Sequence, residues 1–353
     1  MSTRTIGIHT IVLAALLPAL AGAQSASVQA TPPAPPAPPA PPAAPAWAGE
    51  TQGQEKTAGP VQTERIVRTF KAGPGAGLVL NNIAGNIKIA GSGGSDIRVE
   101  AVKSARARDE ASAKALLEAT RVEITESAGR VEVRTVPKDR SQWERHSKTW
   151  VEYTVSLPAT ASADVRAVSG DINISGVTGP VDLSTVSGDI AAANLGARVS
   201  LKSVSGDVML STTQADGDLQ AKSVSGNVLI KEFKARSVEA GSVSGDVRLL
   251  GGVCERATAE SVSGDLELSA AIVKGGRYEL KSHSGSVMLT LDGKVGFELE
   301  ASSFSGRIRS DLPLNVASQS DERMNHSLRG TFGDGAAWVR LASFSGNVAV
   351  TKK

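Results

Sequence analysis

One phrase governs what this chain can fold into. It is written in full at Val168-Ser169-Gly170-Asp171-Ile172 and returns at Val186-Ser187-Gly188-Asp189, Val204-Ser205-Gly206-Asp207, Val224-Ser225-Gly226-Asn227, Val243-Ser244-Gly245-Asp246 and Val262-Ser263-Gly264-Asp265. Degenerate copies follow at His283-Ser284-Gly285-Ser286, Phe304-Ser305-Gly306-Arg307 and Phe344-Ser345-Gly346-Asn347. Successive glycines of the phrase stand 18, 18, 20, 19, 19, 21, 21 and 40 residues apart, the last a double interval. A fixed period near 20 predicts stacked repeats, each completed by its neighbours.

Within one period, apolar and polar residues alternate on both sides of the glycine, as in Val199-Ser200-Leu201-Lys202 before Gly206 and Val208-Met209-Leu210 after it. Period-2 alternation predicts strands with one buried face, so each repeat holds two short strands and two corners. Hairpin meanders would want regular Asn-Gly or Asp-Gly loops, and the chain has none. The expected fold is therefore all-β: a single-domain parallel β-solenoid of about ten coils of 18–21 residues, stacked ~4.8 Å apart. At the corners, positive φ would require glycine, and the serines around each Val would satisfy backbone groups.

Taken in order, residues 1–23 read as a signal peptide, with Arg4, an apolar run from Ile11 to Leu20, and Ala21-Gly22-Ala23 for cleavage. That run is too short for a transmembrane span. Residues 24–60 form a Pro/Ala-rich tether whose Pro-Pro-Ala triplets favour extended polyproline II. Residues 61–160 read as irregular N-terminal coils. Leu78 to Ile87 carries a worn form of the phrase, and Ser127-Ala128-Gly129 reads as a second. Between them, residues 108–120 predict the one helix, from their Ala, Glu and Leu content. An open solenoid end is a bare sheet edge, and this helix with the Trp143 to Tyr153 stretch is the expected cover. Residues 161–353 form the regular solenoid, broken by an excursion at 311–335.

The SVSGDV repeat, the helix-bearing N-terminal segment, and the Ser310-Asp311-Leu312-Pro313-Leu314 break before a final SFSG coil resemble one bacterial family. It is the family of exported β-strand-repeat proteins known as putative adhesins. The resemblance covers residues 65–353. The chain departs from the pattern with His283, Phe304 and Phe344 in place of Val, and with Ser286 and Arg307 in place of Asp. The resemblance implies an exported, adhesin-like β-solenoid of undefined biochemical role.

The residues themselves point to no catalytic, cofactor-binding or metal-ligating set. Asp171, Asp189, Asp207, Asp246 and Asp265 should stack at one corner, with Asn227 interrupting. A calcium column is one reading, but calcium-binding solenoid turns use G-G-x-G-x-D, and here a single Gly precedes each Asp. The other reading is a turn-stabilising ladder whose repulsion is eased by Lys202, Lys222 and Lys281. A polysaccharide-active enzyme would need acids and bases converging on one strand face. The outward pairs, such as Gln220 with Lys222 and Glu279 with Lys281, are instead a mixed solvated surface. His146, His283 and His326 lie far apart in sequence, and Phe304, Phe344 and His283 read as corner packing near the C-terminal end, with a small aromatic strip as the alternative. Cys254, the single cysteine, falls in an inter-strand corner as an unreactive small residue.

With 38 basic and 36 acidic residues, the net charge of +2 gives no reason to expect nucleic acid. The function expected is an exported cell-envelope interaction or structural module without catalysis. Its partner would be an envelope or surface component, protein or polysaccharide, reached in the periplasm, on the outer surface or in the medium. A calcium- or glycan-binding solenoid is the alternative, and a polysaccharide-active enzyme ranks below both.

Overall fold

A computed structural model describes residues 59–353 apart from 74, 128, 138–148, 216, 292–294 and 322–325. The expected signal peptide, nearly all of the tether, Trp143 and His146 lie outside the described residues. The described chain is all-β with one helix, and its 25 strands join in one continuous hydrogen-bonded sheet.

The strands, numbered in chain order, stack as two rows. One row runs β6 (Arg130–Pro137), β2 (Gly77–Ala84), β8 (Ser162–Ser169), β10 (Val181–Ser187), β12 (Val199–Ser205) and β14 (Asp218–Ser225). It continues through the C-terminal halves of β15 (Val228–Ser244) and β16 (Val247–Ser263), then β18 (Arg277–Ser284), β24 (Ala337–Ser343) and β20 (Phe297–Ser303). The second row begins β7 (Thr149–Pro158), β3 (Ile87–Ser92), β9 (Ile172–Ser175), β11 (Ile190–Ala193) and β13 (Val208–Gln214). It passes through the N-terminal halves of β15 and β16 to β17 (Leu266–Ala271), β19 (Val287–Leu291), β25 (Val348–Lys352) and β21 (Ile308–Ser310). Every neighbouring pair within these two stretches is parallel, and equivalent phrase residues share a register, Ser187 opposite Ser205 and Ser205 opposite Ser225.

The two rows face each other across a narrow core. Alternate residues of each strand point inward, so Val199 and Leu201 meet Val208 and Leu210, all fully buried. Burying such a side chain contributes roughly 1.5–3 kcal/mol, and the stack repeats that gain coil after coil. Where one row supplies small residues, such as Ala221, Ala240, Ala257 and Ala259, the interior thins.

Chain order and stacking order part company at both ends. The last coil in sequence, β24 with β25, sits between β18–β19 and β20–β21 instead of at the terminus of the stack. Likewise β2 and β3 lie inside β6 and β7, which come later in the chain. The outermost strands are antiparallel additions. Beyond β6 lies β5 (Thr120–Ser127), and beyond β7 lie β4 (Asp96–Arg106) and then β1 (Val61–Lys71). At the other end β23 (His326–Phe332) joins β20, and β22 (Asn315–Asp321) joins β23.

These pairings correct several expectations. Parallel coiling starts at Gly77, with the worn phrase of Leu78 to Ile87, and not at residue 61. Within the 311–335 excursion, Asn315–Asp321 and His326–Phe332 pair antiparallel and extend the sheet. Tyr153 is no end cover but a core residue of β7. Cys254 is buried within β16, where the coil turns its back corner without leaving strand conformation. Burial pushes its thiol up to about 12, and its carbonyl accepts the Tyr278 hydroxyl at 2.7 Å.

The helix α1 (Glu110–Ala119) falls where its composition places it. Asp109 caps it, accepting the Ser112 amide at 2.8 Å, and those Ser112 bonds hold the Asp109 carboxyl below its ordinary value. At its C-terminal end the buried Lys103 ammonium donates to the Leu117 and Thr120 carbonyls and pairs with Glu64 at 2.6 Å. Ala113 and Leu117 are its buried residues, and it packs on β1, β4 and β5.

Candidate functional site

The repeated phrase builds a corner whose parts serve different purposes. The residue before each phrase Val points inward; it is Ala167 and Thr185 in the first two phrases and serine in the next four. The serine hydroxyl donates to the glycine carbonyl one coil back: Ser203 to Gly188 at 3.2 Å, Ser223 to Gly206 at 2.9 Å, Ser242 to Gly226 at 2.8 Å and Ser282 to Gly264 at 3.0 Å. Serine is needed there because the carbonyl is buried at the turn, and an unmet acceptor costs about 1–3 kcal/mol.

The glycines are required by close approach more than by conformation. Gly170, Gly188, Gly206 and Gly245 have φ from 138° to 157°, but the other five phrase glycines lie outside the left-handed region. At all nine, an added Cβ would meet the neighbouring coil's glycine carbonyl oxygen, at 2.0 Å for Gly206, 2.2 Å for Gly226 and 2.1 Å for Gly264. The expectation of positive φ throughout is thus corrected: coils stacked at strand spacing leave no room for a side chain.

The Asp column is a hydrogen-bond ladder. The Asp189 amide donates to Asp171 Oδ1 at 3.0 Å, Asp207 to Asp189 at 2.8 Å, Asn227 to Asp207 at 2.7 Å, Asp246 to Asn227 at 3.0 Å and Asp265 to Asp246 at 2.9 Å. Asn86 and Asn347 extend it at the two ends, accepting from Asp171 and Arg307. Asn227 therefore does not interrupt the column, because an amide oxygen accepts as a carboxylate does. One oxygen of each Asp is committed to backbone. The lysines do not ease repulsion in this column: Lys222 pairs with Glu239 and Lys281 with Glu279, both at 2.5 Å. The Lys222 bond holds the Glu239 carboxyl below its ordinary range. Among the described residues, no three or more His, Cys, Asp or Glu side chains are grouped to hold a metal ion.

Beside its exposed Ser and Asp columns the corner also leaves an apolar row in the open. Val168, Val186, Val204, Val224, Val243 and Val262 each remain 45–51% accessible. Their row continues into His283, Phe344 and Phe304, whose rings stack at 4.9 and 4.7 Å with interplanar angles of 9° and 5°. These aromatics are not corner packing, as their sequence setting suggests; Phe344 is 48% exposed. Strand parity carried the signal. If Leu201 and Ser203 point in, Val204 must point out.

The C-terminal end is less regular. There β22 and β23 stand against the corner loop Ser305–Ile308, leaving a polar concavity lined by Arg307, Gln319, Ser320, His326 and Ser327. Arg329 pairs with Glu300 at 2.7 Å beside Trp338 on the adjoining surface. Here the excursion brings polar side chains from several elements together, and the sequence offered only its irregularity as a sign.

Fold and corner together define a class: a repeat protein of stacked β coils locked by one hydrogen-bonded corner. The chain belongs to the Toastrack DUF4097 family, whose model matches residues 77–351. No curated protein matches it. Among solved structures it is similar to a putative adhesin of Bacteroides fragilis NCTC 9343, at 16% identity and a TM-score of 0.40, over 82% of this chain and 97% of that one. A putative adhesin of Parabacteroides distasonis ATCC 8503 gives 12% identity and a TM-score of 0.43, over 84% and 98%. A putative lipid binding protein of the same organism gives 10% and 0.41, over 82% and 97%. Among the described residues no helix is long and apolar enough to cross a membrane.

Proposed function

We propose that the chain is an exported, adhesin-like module of the cell envelope that binds without catalysis. It is a parallel β-solenoid of about ten coils, carried on the 24–60 tether and closed at one end by α1 and the strands beside it. The observation that carries this reading is the corner ladder. The acidic groups most able to do chemistry are stacked into backbone hydrogen bonds, while the outward faces pair charges locally, as in Lys222 with Glu239. Function then falls to extended surface and to the hairpin end, where loops and added strands on a rigid scaffold carry recognition.

Two measurements test it. Cell fractionation with surface protease should place the protein in the envelope; recovery in the cytoplasm overturns export. Binding of the purified chain to envelope fractions should survive chelator and should fall on substituting Arg307 and Gln319 together by Ala. Loss of binding on chelation would instead assign the Asp column to calcium, and turnover of a polyuronide would assign an enzyme.

A further inference from the structure

The exposed valine and aromatic row runs beside the corner along the stack, from the half-buried Ile83 to Phe304, with no charged residue in it and an exposed serine column next to it. Monomeric proteins rarely leave so long a contiguous apolar strip in water. With about half of each side chain accessible, the row and its serines offer area on the order of the ~800 Å² each partner brings to a stable interface.

We propose that two copies of this chain pair along this row, antiparallel, about a two-fold axis near Val224 and Val243. Of three observations, period selects a second copy, size selects the orientation, and charge is compatible with it. The first is period. Backbone pairing fixes one residue of the row per strand spacing, ~4.8 Å, and a surface that matches this rise over the whole length is another copy of the same stack. The second is size. The row is aliphatic at one end and aromatic at the other, His283, Phe344 and Phe304. Antiparallel pairing sets the rings against valines and keeps the separation even, whereas parallel pairing sets ring on ring and splays the rods.

The third is charge. On one flank of the row, the two-fold brings Lys202 opposite the partner copy's Glu260, since both stand the same number of coils from the axis in one outward column. On the other flank it sets Asp171 toward Asn347, Asp189 toward Ser286 and Asp207 toward Asp265, so that flank does not itself decide the orientation. The interface is isologous and closed, which yields a dimer and no filament.

The test is sedimentation velocity of the full chain from low to high micromolar concentration. The account expects a dimer, converted to monomer by Val224→Lys with Val243→Lys, with the far-UV spectrum and melting temperature of the parent. Should the lysine variant misfold, Val224→Thr with Val243→Thr keeps the shape and should weaken the dimer at least tenfold. Orientation is read by oxidative cross-linking. Val204→Cys mixed with Val262→Cys should form a disulfide that neither variant forms alone, because each lone cysteine would sit about three coils, ~14 Å, from its mate. The native Cys254 is buried and stays out of the reaction. A parent that is monomeric throughout, a dimer that survives the lysines, or a Val204→Cys protein that cross-links with itself overturns the proposal.

Discussion

The middle of the stack and its two ends obey different rules. In the middle, coils follow one another in chain order, and each repeats the same three devices: a serine to the previous glycine carbonyl, a glycine with no room for a side chain, and an Asp or Asn accepting the next amide. At the ends, chain order fails. The terminal coils of the sequence are tucked one layer inward, and antiparallel strands finish the sheet. Polar networks of their own hold the N-terminal end. Asn82 Nδ2 donates to the carbonyls of Ala84, Gly85 and Val151, and its oxygen accepts from Thr135, which also bonds the buried Tyr153 hydroxyl at 2.7 Å. A repeated phrase thus specifies how two coils meet, and does not specify which two.

The largest effect that would sharpen this contrast is at a corner glycine. Gly206→Val drives a Cβ to 2.0 Å from a carbonyl that the stack holds in place, and should cost about 3 kcal/mol or more. Gly129→Ala, in the end hairpin with open space around it and φ +77°, should cost only about 1–2 kcal/mol. Urea titrations of both variants decide the matter, and equal costs would erase the distinction.

Next comes Asn82→Ala, which strips donors from three carbonyls at the N-terminal end and should cost about 2–3 kcal/mol. Ser223→Ala in the middle removes a single bond and should cost about 1 kcal/mol. A larger loss at Ser223 would mean that the middle, and not the end, depends on its polar contacts.

The legible part of this fold was the part written locally. Alternation around Gly206 and the period of the phrase imply coils, corners and stacked strands, and helix 108–120 is marked by composition. Stacking order was not legible, because β24 carries the same alternation as any other coil and could pair with β18 or β20 equally well. Cys254 was misplaced for a related reason. A back corner normally interrupts a strand, but β16 turns its own while continuing as a 17-residue strand; the alternation reverses at the register shift between Leu250 and Gly252, where Gly251 has φ +68°, and that reversal points Cys254 inward. The aromatic strip was legible but ranked below corner packing, because Phe344 and Phe304 are apolar, and apolarity alone argues for burial where parity argues against it. The polar hairpin end had no sequence sign beyond its broken rhythm.

A smaller effect comes from pH. Burial pushes Cys254 and Tyr153 each up to about 12. Both are neutral acids whose folded value lies above the unfolded one. Their contribution is therefore complete below the unfolded values and declines as pH rises from about 9 toward 12. Cys254→Ala should flatten the first part of that decline in melting temperature. An unchanged slope would place the thiol in water. Smallest of all, Lys222→Ala breaks an exposed pair with Glu239 and should shift stability by no more than about 0.5 kcal/mol.

Disulfide trapping at the C-terminal end tests the stacking order most directly. Lys281 lies opposite Ala342 in the parallel register of β18 and β24, and Ala342 in turn lies opposite Ser302 of β20. Neighbouring strands hold Cα atoms ~4.8 Å apart, within disulfide reach, whereas strands two apart stand at ~9.6 Å, beyond it. Lys281→Cys with Ala342→Cys should therefore oxidise readily in the folded protein, and Lys281→Cys with Ser302→Cys should not. The reverse result would put the coils in chain order to the end of the molecule and contradict the tucked C-terminal coil.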